Sequence, residues 1–272
     1  MVKFLNFIVS LTNLNTKNGS RRNIANHYDL GNNFFSEWLD KSMTYSSGIH
    51  LNSNTTLEQA QESKYQRIIE KLNIKSSDKV LEIGCGWGGF AEYAAKKTGA
   101  KITAITISKE QLVYSSERIK NSELGDSVEI KLQDYRDVKG TFDKIVSIEM
   151  LEAVGESYWS TYFNTVSSLL GVQGSALVQV ITVPDEYFDF YKSGTDFIQK
   201  YIFPGGMLIC PNSINILSKK AGLNLTDAYY FGQSYAKTLE EWQVRFQKAW
   251  HKLEELDFDD RFKRIWEYYL DY

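Results

Sequence analysis

The run Val80-Leu-Glu-Ile-Gly84-Cys-Gly86-Trp-Gly88-Gly89 carries residue types suited to holding a ligand against the main chain. Glycines admit left-handed backbone and let a ligand approach closely. The spacing Gly84-x-Gly86-x-Gly88 differs from the Gly-x-Gly-x-x-Gly of dinucleotide binders. Glu82, two residues before the first glycine, is unsuited to a pyrophosphate but suits a ligand bearing an amino group. The amino-acid part of S-adenosylmethionine fits that description. A purely structural tight turn is the competing reading of the same glycines.

A loop of this kind needs a strand before it and a helix after it. Lys79–Ile83 reads as the first core strand, and Phe90–Lys97 as the helix that follows. Further strands are expected at Lys101–Thr106, Val128–Leu132, Phe142–Ile148, Ser175–Thr182 and Leu223–Tyr230. Helices are expected at Thr56–Leu72, at Lys109–Ser122 with Ser108 as N-cap, and at Tyr158–Leu170. In the first of these, Leu57, Ala60, Tyr65, Ile68, Ile69 and Leu72 share one face, with Lys64 and Lys71 near its edge. Strands alternating with helices imply an α/β fold with a parallel sheet covered on both faces. Ligands in such sheets bind beyond the carboxyl ends of the strands.

Two segments break the alternation. Residues 183–211 contain Tyr187, Phe188, Phe190, Tyr191, Phe197, Tyr201 and Phe203. The insertion is expected to pack as a helix, or else to wall an apolar substrate pocket. From Thr238 a long helical region runs to the end. Residues 1–55 are read as an N-terminal helical and lid segment, and 56–272 as the core of the same domain.

Composition excludes several classes. A net charge of −3 leaves no global nucleic-acid footprint. Cys85 and Cys210 lie far apart and make no metal-ligand pairing. The 17 Tyr, 15 Phe and 6 Trp fill a core or line an apolar pocket. No apolar run reaches the roughly 20 residues that span a bilayer. The first residues lack a small-residue cleavage site, which argues against a signal peptide. Met1 to Tyr28 holds no Asp or Glu, while Lys3, Lys17, Arg21 and Arg22 accompany an apolar stripe at Phe4, Leu5, Ile8, Val9 and Leu11. That stripe suits either a helix on an anionic membrane surface or a helix packed on the main domain.

Several longer stretches resemble the cyclopropane fatty acid synthases and their mycolic-acid relatives. They are Asn23-Ile-Ala-Asn-His-Tyr-Asp-Leu-Gly-Asn-Asn-Phe-Phe, Met43-Thr-Tyr-Ser, Leu81-Glu-Ile-Gly-Cys-Gly-Trp-Gly-Gly, Gln133-Asp-Tyr-Arg-Asp, Ser147-Ile-Glu-Met-Leu-Glu-Ala-Val-Gly, Phe197-Ile-Gln-Lys-Tyr-Ile-Phe-Pro-Gly-Gly and Tyr235-Ala-Lys-Thr-Leu. The resemblance implies a class I S-adenosylmethionine-dependent methyltransferase fold. It implies methylene transfer to a cis double bond of a phospholipid acyl chain, through a carbocation. Tyr45, Ser46, Gly84, Gly86, Thr106, Gln111 and Tyr135 match its cofactor-contacting positions; Glu82 and Gly88 join them on local grounds.

The resemblance also implies a bound bicarbonate ion as the base that collects the departing proton. Its cage would be the backbone of Ser47, Glu152, Gln179, the backbone of Ile181, and Tyr235. Without the family context Glu152 reads as a helix N-terminal acid and Tyr235 as a core tyrosine. Three positions depart from the family pattern: Ser47 stands where Cys is common, and Gln179 and Ala153 where His is common. Gln179 cannot titrate, so no proton-shuttling role falls to it. Relatives also continue into a final strand, so the sheet is expected to lack its last strand and leave an edge unpaired.

The expected protein is a cytoplasmic enzyme, peripherally associated with the inner face of the membrane, acting on phospholipid acyl chains there, with a homodimer as a further expectation. Methyl transfer without ring closure, to an unsaturated lipid or a small amine, is an alternative. An inactive lipid- or partner-binding module is another, which a failure to bind S-adenosylmethionine would indicate.

Overall fold

The computed structural model describes residues 15–17, 19 and 30–272. The N-terminal apolar stripe, Lys3, Arg21, Arg22 and the Asn23–Asp29 part of the longest motif lie outside the described residues. The elements run α1 (Asn32–Ser36), α2 (Leu57–Leu72), β1 (Lys79–Ile83), α3 (Gly89–Thr98), β2 (Lys101–Thr106), α4 (Lys109–Asn121), β3 (Val128–Leu132) and β4 (Phe142–Ile148). They continue with α5 (Trp159–Leu169), β5 (Leu170–Gln179), α6 (Asp185–Lys192), α7 (Phe197–Tyr201), α8 (Pro211–Lys220), α9 (Gly232–Glu254) and α10 (Asp260–Asp271).

Local chemistry sets the boundaries. Thr56 accepts from the Gln59 amide at 3.3 Å while the Gln59 side chain accepts from Thr56 N–H at 3.0 Å, a reciprocal cap that starts α2. Ser108 caps α4 by accepting from Gln111 N–H at 3.2 Å. The strands form one parallel sheet in the order β3-β2-β1-β4-β5. Val80, Leu81 and Ile83 are buried, as a strand covered on both faces requires. The order in which strands join the sheet reverses between β1 and β4, and their registers put Ile83 beside both Ile105 and Ser147. The carboxyl ends of β1, β2 and β4 therefore open a common crevice.

Two strand expectations are corrected. Leu223–Tyr230 forms no strand. An extended run becomes a strand only beside a free edge, and this one instead lies over α2: Lys71 pairs with Asp227 at 2.7 Å and Arg67 stacks on the Tyr229 ring at 3.7 Å. The fifth strand begins earlier than Ser175, at Leu170, and stops at Gln179, whose carbonyl accepts from Glu149 N–H at 2.8 Å. Thr182 makes only an isolated bridge to Ile209.

The C-terminal helices close over the strand ends. Phe34, Phe35 and Trp38 pack with Trp242, Phe246 and Trp250 of α9 and Trp266 of α10 in one aromatic cluster. Phe34 meets Trp266 edge-on at 4.8 Å, and Trp38 meets Trp242 at 5.8 Å. Trp87, inside the glycine turn, joins this cluster through Phe35 at 5.0 Å, so the turn is braced by residues far along the chain.

Candidate active site

A cavity of about 510 Å³ lies over the carboxyl ends of β1, β2 and β4. Glu82, Gly84, Gly86, Thr106, Gln111, Tyr135, Tyr45 and Ser46 all line it, as do Glu152, Ile181 and Tyr235. The insertion contributes Tyr191, Ile198, Gln199, Phe203 and Leu208, and the C-terminal helices Leu239, Trp242 and Tyr269. Residues 183–211 thus both pack and wall the cavity.

The strand-end residues fit S-adenosylmethionine. Glu82 is 3% exposed, and its Oε2 is buried with no hydrogen-bond partner. Burial pushes its carboxyl up to about 8, against the opposing charge of Lys64. Such a group gains most from an amino group brought beside it. Gly86 has φ +53, and a Cβ there would point into open space. Thr106 Oγ1 donates to Gln111 Oε1 at 2.7 Å and accepts from Ser108 N–H at 3.1 Å, fixing Gln111 at the cavity wall. The Tyr135 hydroxyl is buried without a partner, and burial pushes it up to about 12. Tyr45 donates to the Tyr269 hydroxyl at 2.9 Å. These residues would hold the amino-acid, ribose and base parts of the ligand.

Gly88 is placed differently from Gly84 and Gly86. It does not line the cavity. It caps α3 at φ +83, and a Cβ there would stand 3.0 Å from Ser115 Cβ on α4. Its missing side chain serves the packing of α3 on α4.

The expected anion cage is assembled differently. Ser47 and Gln179 are buried at 2% and 8% exposure and do not line the cavity. Their donors point to Glu149: Ser47 N–H donates to Glu149 Oε1 at 2.9 Å, and Gln179 Nε2 donates to the same oxygen at 2.7 Å. Gln179 Nε2 also donates to Ser47 carbonyl oxygen at 3.2 Å. The third donor, Ile181 N–H, is taken by Glu152 Oε1 at 2.6 Å, while Glu152 Oε2 is buried without a partner. Bicarbonate does not fit this arrangement. Every cage N–H expected for it carries a carboxylate oxygen, and an added anion would lie beside two acids with the Tyr235 hydroxyl as its remaining expected donor.

Sequence reasoning missed Glu149 and Lys64. Glu149 lies within the motif Ser147-Ile-Glu-Met-Leu-Glu, three residues before Glu152, and that spacing was the available signal. Lys64 sits at the edge of the apolar stripe of α2, yet it is 1% exposed. Its Nζ donates to Ser46 Oγ at 2.7 Å. Burial lowers its ammonium to about 8, resisted by Glu149, Asp40 and Glu82. Burial raises Glu149, against the Lys64 charge and its two hydrogen bonds. Burial, then the Glu149 charge, pushes Glu152 up to about 8. Burial, then Glu149, raises Tyr235 well above the usual phenol range. Lys64 favours the ionised form of Glu149 against the effect of its burial, while Glu152, at about 8, is held toward the neutral acid.

Residues 15–272 match the family model described as mycolic acid cyclopropane synthetase. The chain is 39% identical over 265 residues to tuberculostearic acid methyltransferase UfaA1 of Mycobacterium tuberculosis, covering 94% of this chain and 62% of that protein. It is 40% identical over 245 residues to cyclopropane-fatty-acyl-phospholipid synthase of Escherichia coli, covering 90% of this chain and 61% of that one. The chain spans about six-tenths of the length of these curated relatives. The crystal structure of mycolic acid cyclopropane synthase CmaA1 complexed with SAH and CTAB superposes with a TM-score of 0.86 at 28% identity, over 92% of this chain and 91% of that one. The fold is that of the class I methyltransferases.

Proposed function

The chain belongs to the mycolic acid cyclopropane synthetase family, and on that premise we propose that it transfers the methyl carbon of S-adenosylmethionine to a cis double bond of a phospholipid acyl chain. Bound over β1 and β2, S-adenosylmethionine supplies a sulfonium methyl, an electrophile strong enough for an alkene. The observation that carries the reading is one cavity lined by Glu82 and Gly86, by the acids Glu149 and Glu152, and by apolar residues of the insertion and α9. The apolar residues exclude water, so a cation formed on the lipid is not quenched by solvent.

Loss of a proton from the transferred methyl closes a cyclopropane ring. A second product, a methyl branch formed by proton loss from a neighbouring carbon, is favoured by the comparable identity to a relative named a tuberculostearic acid methyltransferase. The lipid would enter from a membrane surface. No helix among the described residues is long and apolar enough to cross a membrane. Tyr187, Phe190 and Tyr201 of the insertion expose aromatic rings suited to resting on one.

The test is lipid mass spectrometry on cells expressing the chain and fed methionine with a fully deuterated methyl. A ring retains two of the methyl deuteriums, and a branch formed by proton loss elsewhere retains all three. Absence of label from every lipid refutes the reading. Failure to bind S-adenosylhomocysteine would point instead to an inactive binding module.

A further inference from the structure

We infer that Glu149 is the resident proton acceptor of this reaction, a carboxylate built into the chain that holds the donors the resemblance assigns to a free bicarbonate ion. The inference rests on the methyl-transfer reading above.

Three independent observations converge on Glu149. The first is its hydrogen bonding. Oε1 accepts from Ser47 N–H and from Gln179 Nε2, two donors that no other acid in the cavity takes. Both donors lie behind the cavity wall, whereas Glu149 itself lines the cavity. They anchor one carboxylate oxygen of a residue that borders the substrate space. Gln179 suits this duty: an amide always donates, whereas a neutral imidazole could turn an acceptor toward the carboxylate.

The second is backbone conformation. Glu149 has φ +46, in the left-handed region that glycine prefers and a side chain enters only at a cost. Backbone strain of this kind concentrates at functional sites, where the surrounding structure maintains it. Glycine would fill the turn with less strain, so the side chain is what the position retains.

The third is charge. Lys64, fully enclosed and bonded to Ser46 Oγ, is the cation that faces Glu149. It favours the ionised form, the form able to accept a proton.

The step balances without a further reactant. Once the lipid carries the new methyl and an adjacent cationic carbon, a Glu149 carboxylate oxygen takes one proton from that methyl. The C–H pair becomes the third bond of the ring. If the proton leaves a neighbouring carbon instead, the pair becomes a double bond. Either way one negative and one positive charge vanish together, giving an uncharged acyl chain and a neutral carboxylic acid. Glu149 returns its proton to solvent before the next cycle. The two hydrogen bonds on Oε1 and its attachment to the chain restrain it from trapping the cation as an ester.

The test uses the 272-residue chain, methyl-labelled S-adenosylmethionine and vesicles of dioleoyl phosphatidylglycerol, in buffer freed of carbon dioxide. The wild-type rate should be the same with and without added bicarbonate. Glu149→Gln should lose at least ~100-fold in turnover, the scale of a lost general base, and keep its affinity for S-adenosylhomocysteine. Glu149→Gly should be equally slow and regain rate when bicarbonate is added, because it frees the Ser47 and Gln179 donors. Binding is read separately from the line width of carbon-13 bicarbonate: the Glu149→Gly chain should broaden the resonance and the wild type should not. A wild-type rate that collapses without bicarbonate overturns the inference, as does wild-type broadening or an undiminished Glu149→Gly rate without added anion. A wild-type chain that labels no lipid overturns the parent reading and the proton-transfer role with it. The resonance still reports, in that event, whether Glu149 fills the donor site.

Discussion

Glu82 should release a proton when the cofactor binds. Burial holds its carboxyl at about 8 in the free protein, and its Oε2 has no partner. At pH 7 a group at about 8 is roughly nine-tenths protonated. A ligand ammonium placed against it favours the carboxylate. If the bound-state value falls below about 5, about 0.9 proton leaves per ligand bound at pH 7. Affinity should then rise about ninefold between pH 6 and pH 7, the ratio of the ionised fractions in the free protein. Lys64, at about 8, stays largely an ammonium across that window. The assay is calorimetric titration with S-adenosylhomocysteine at pH 7 in buffers of different ionisation enthalpy, where the slope of observed heat gives the protons released. Glu149 and Glu152 share the cavity, so Glu82→Gln is the control: it should remove the release and flatten the pH dependence. Release undiminished in Glu82→Gln, or none in the wild type, would refute the placement of the amino group.

Gly86→Val should abolish S-adenosylhomocysteine binding, because its side chain would enter the cavity from a φ of +53. Retained affinity would remove the glycine turn from the cofactor site. Gly88→Ala should instead lower stability by about 1–3 kcal/mol, the range for overpacking, with binding retained, since its Cβ would meet Ser115; the melting temperature and calorimetry check this together. Phe246→Ala, at a fully buried position touching Phe34, Trp38 and Trp266, should cost about 3–5 kcal/mol by denaturant unfolding. A loss under ~1 kcal/mol would be too small for a filled aromatic core. Finally, the melting temperature of the free chain should fall from pH 5 to pH 7.5. Glu82 and Glu152, ordinarily near 4.5, are held at about 8, so the fold binds protons the unfolded chain has lost. Their contribution is complete below about 4.5 and is lost as pH rises through about 8, at up to ~1.4 kcal/mol per pH unit for each. Glu58, Glu92 and Asp134, with lowered values, are largely ionised in both states across this window and offset little of it. A rising melting temperature would contradict the assigned burial of these acids.

Local pattern carried much of this protein. The ranges Lys79–Ile83, Lys101–Thr106, Val128–Leu132 and Phe142–Ile148 follow from short β-type runs between turn residues, and the structure has strands with those bounds. Thr56 and Ser108 announce helix starts because a capping side chain acts within three residues. The glycine turn and Glu82 adjoin in the chain, so their shared cavity was legible too. Contacts between distant residues were not. Leu223–Tyr230 has the composition of a strand, but pairing depends on a free edge elsewhere, and the folded chain places it over α2. Gly84, Gly86 and Gly88 look alike in sequence, yet an added Cβ would meet Met150 at 2.7 Å at Gly84, Ser115 at 3.0 Å at Gly88 and nothing within 4 Å at Gly86, and only Gly84 and Gly86 line the cavity. Ser47 and Glu149 stand 102 positions apart, and nothing local to either shows that one donates to the other. The sequence determined which elements form and where a ligand turn sits, because those depend on neighbours along the chain. Tertiary structure decided which acid takes the buried donors, because desolvation and hydrogen bonding act between surfaces that only folding brings together.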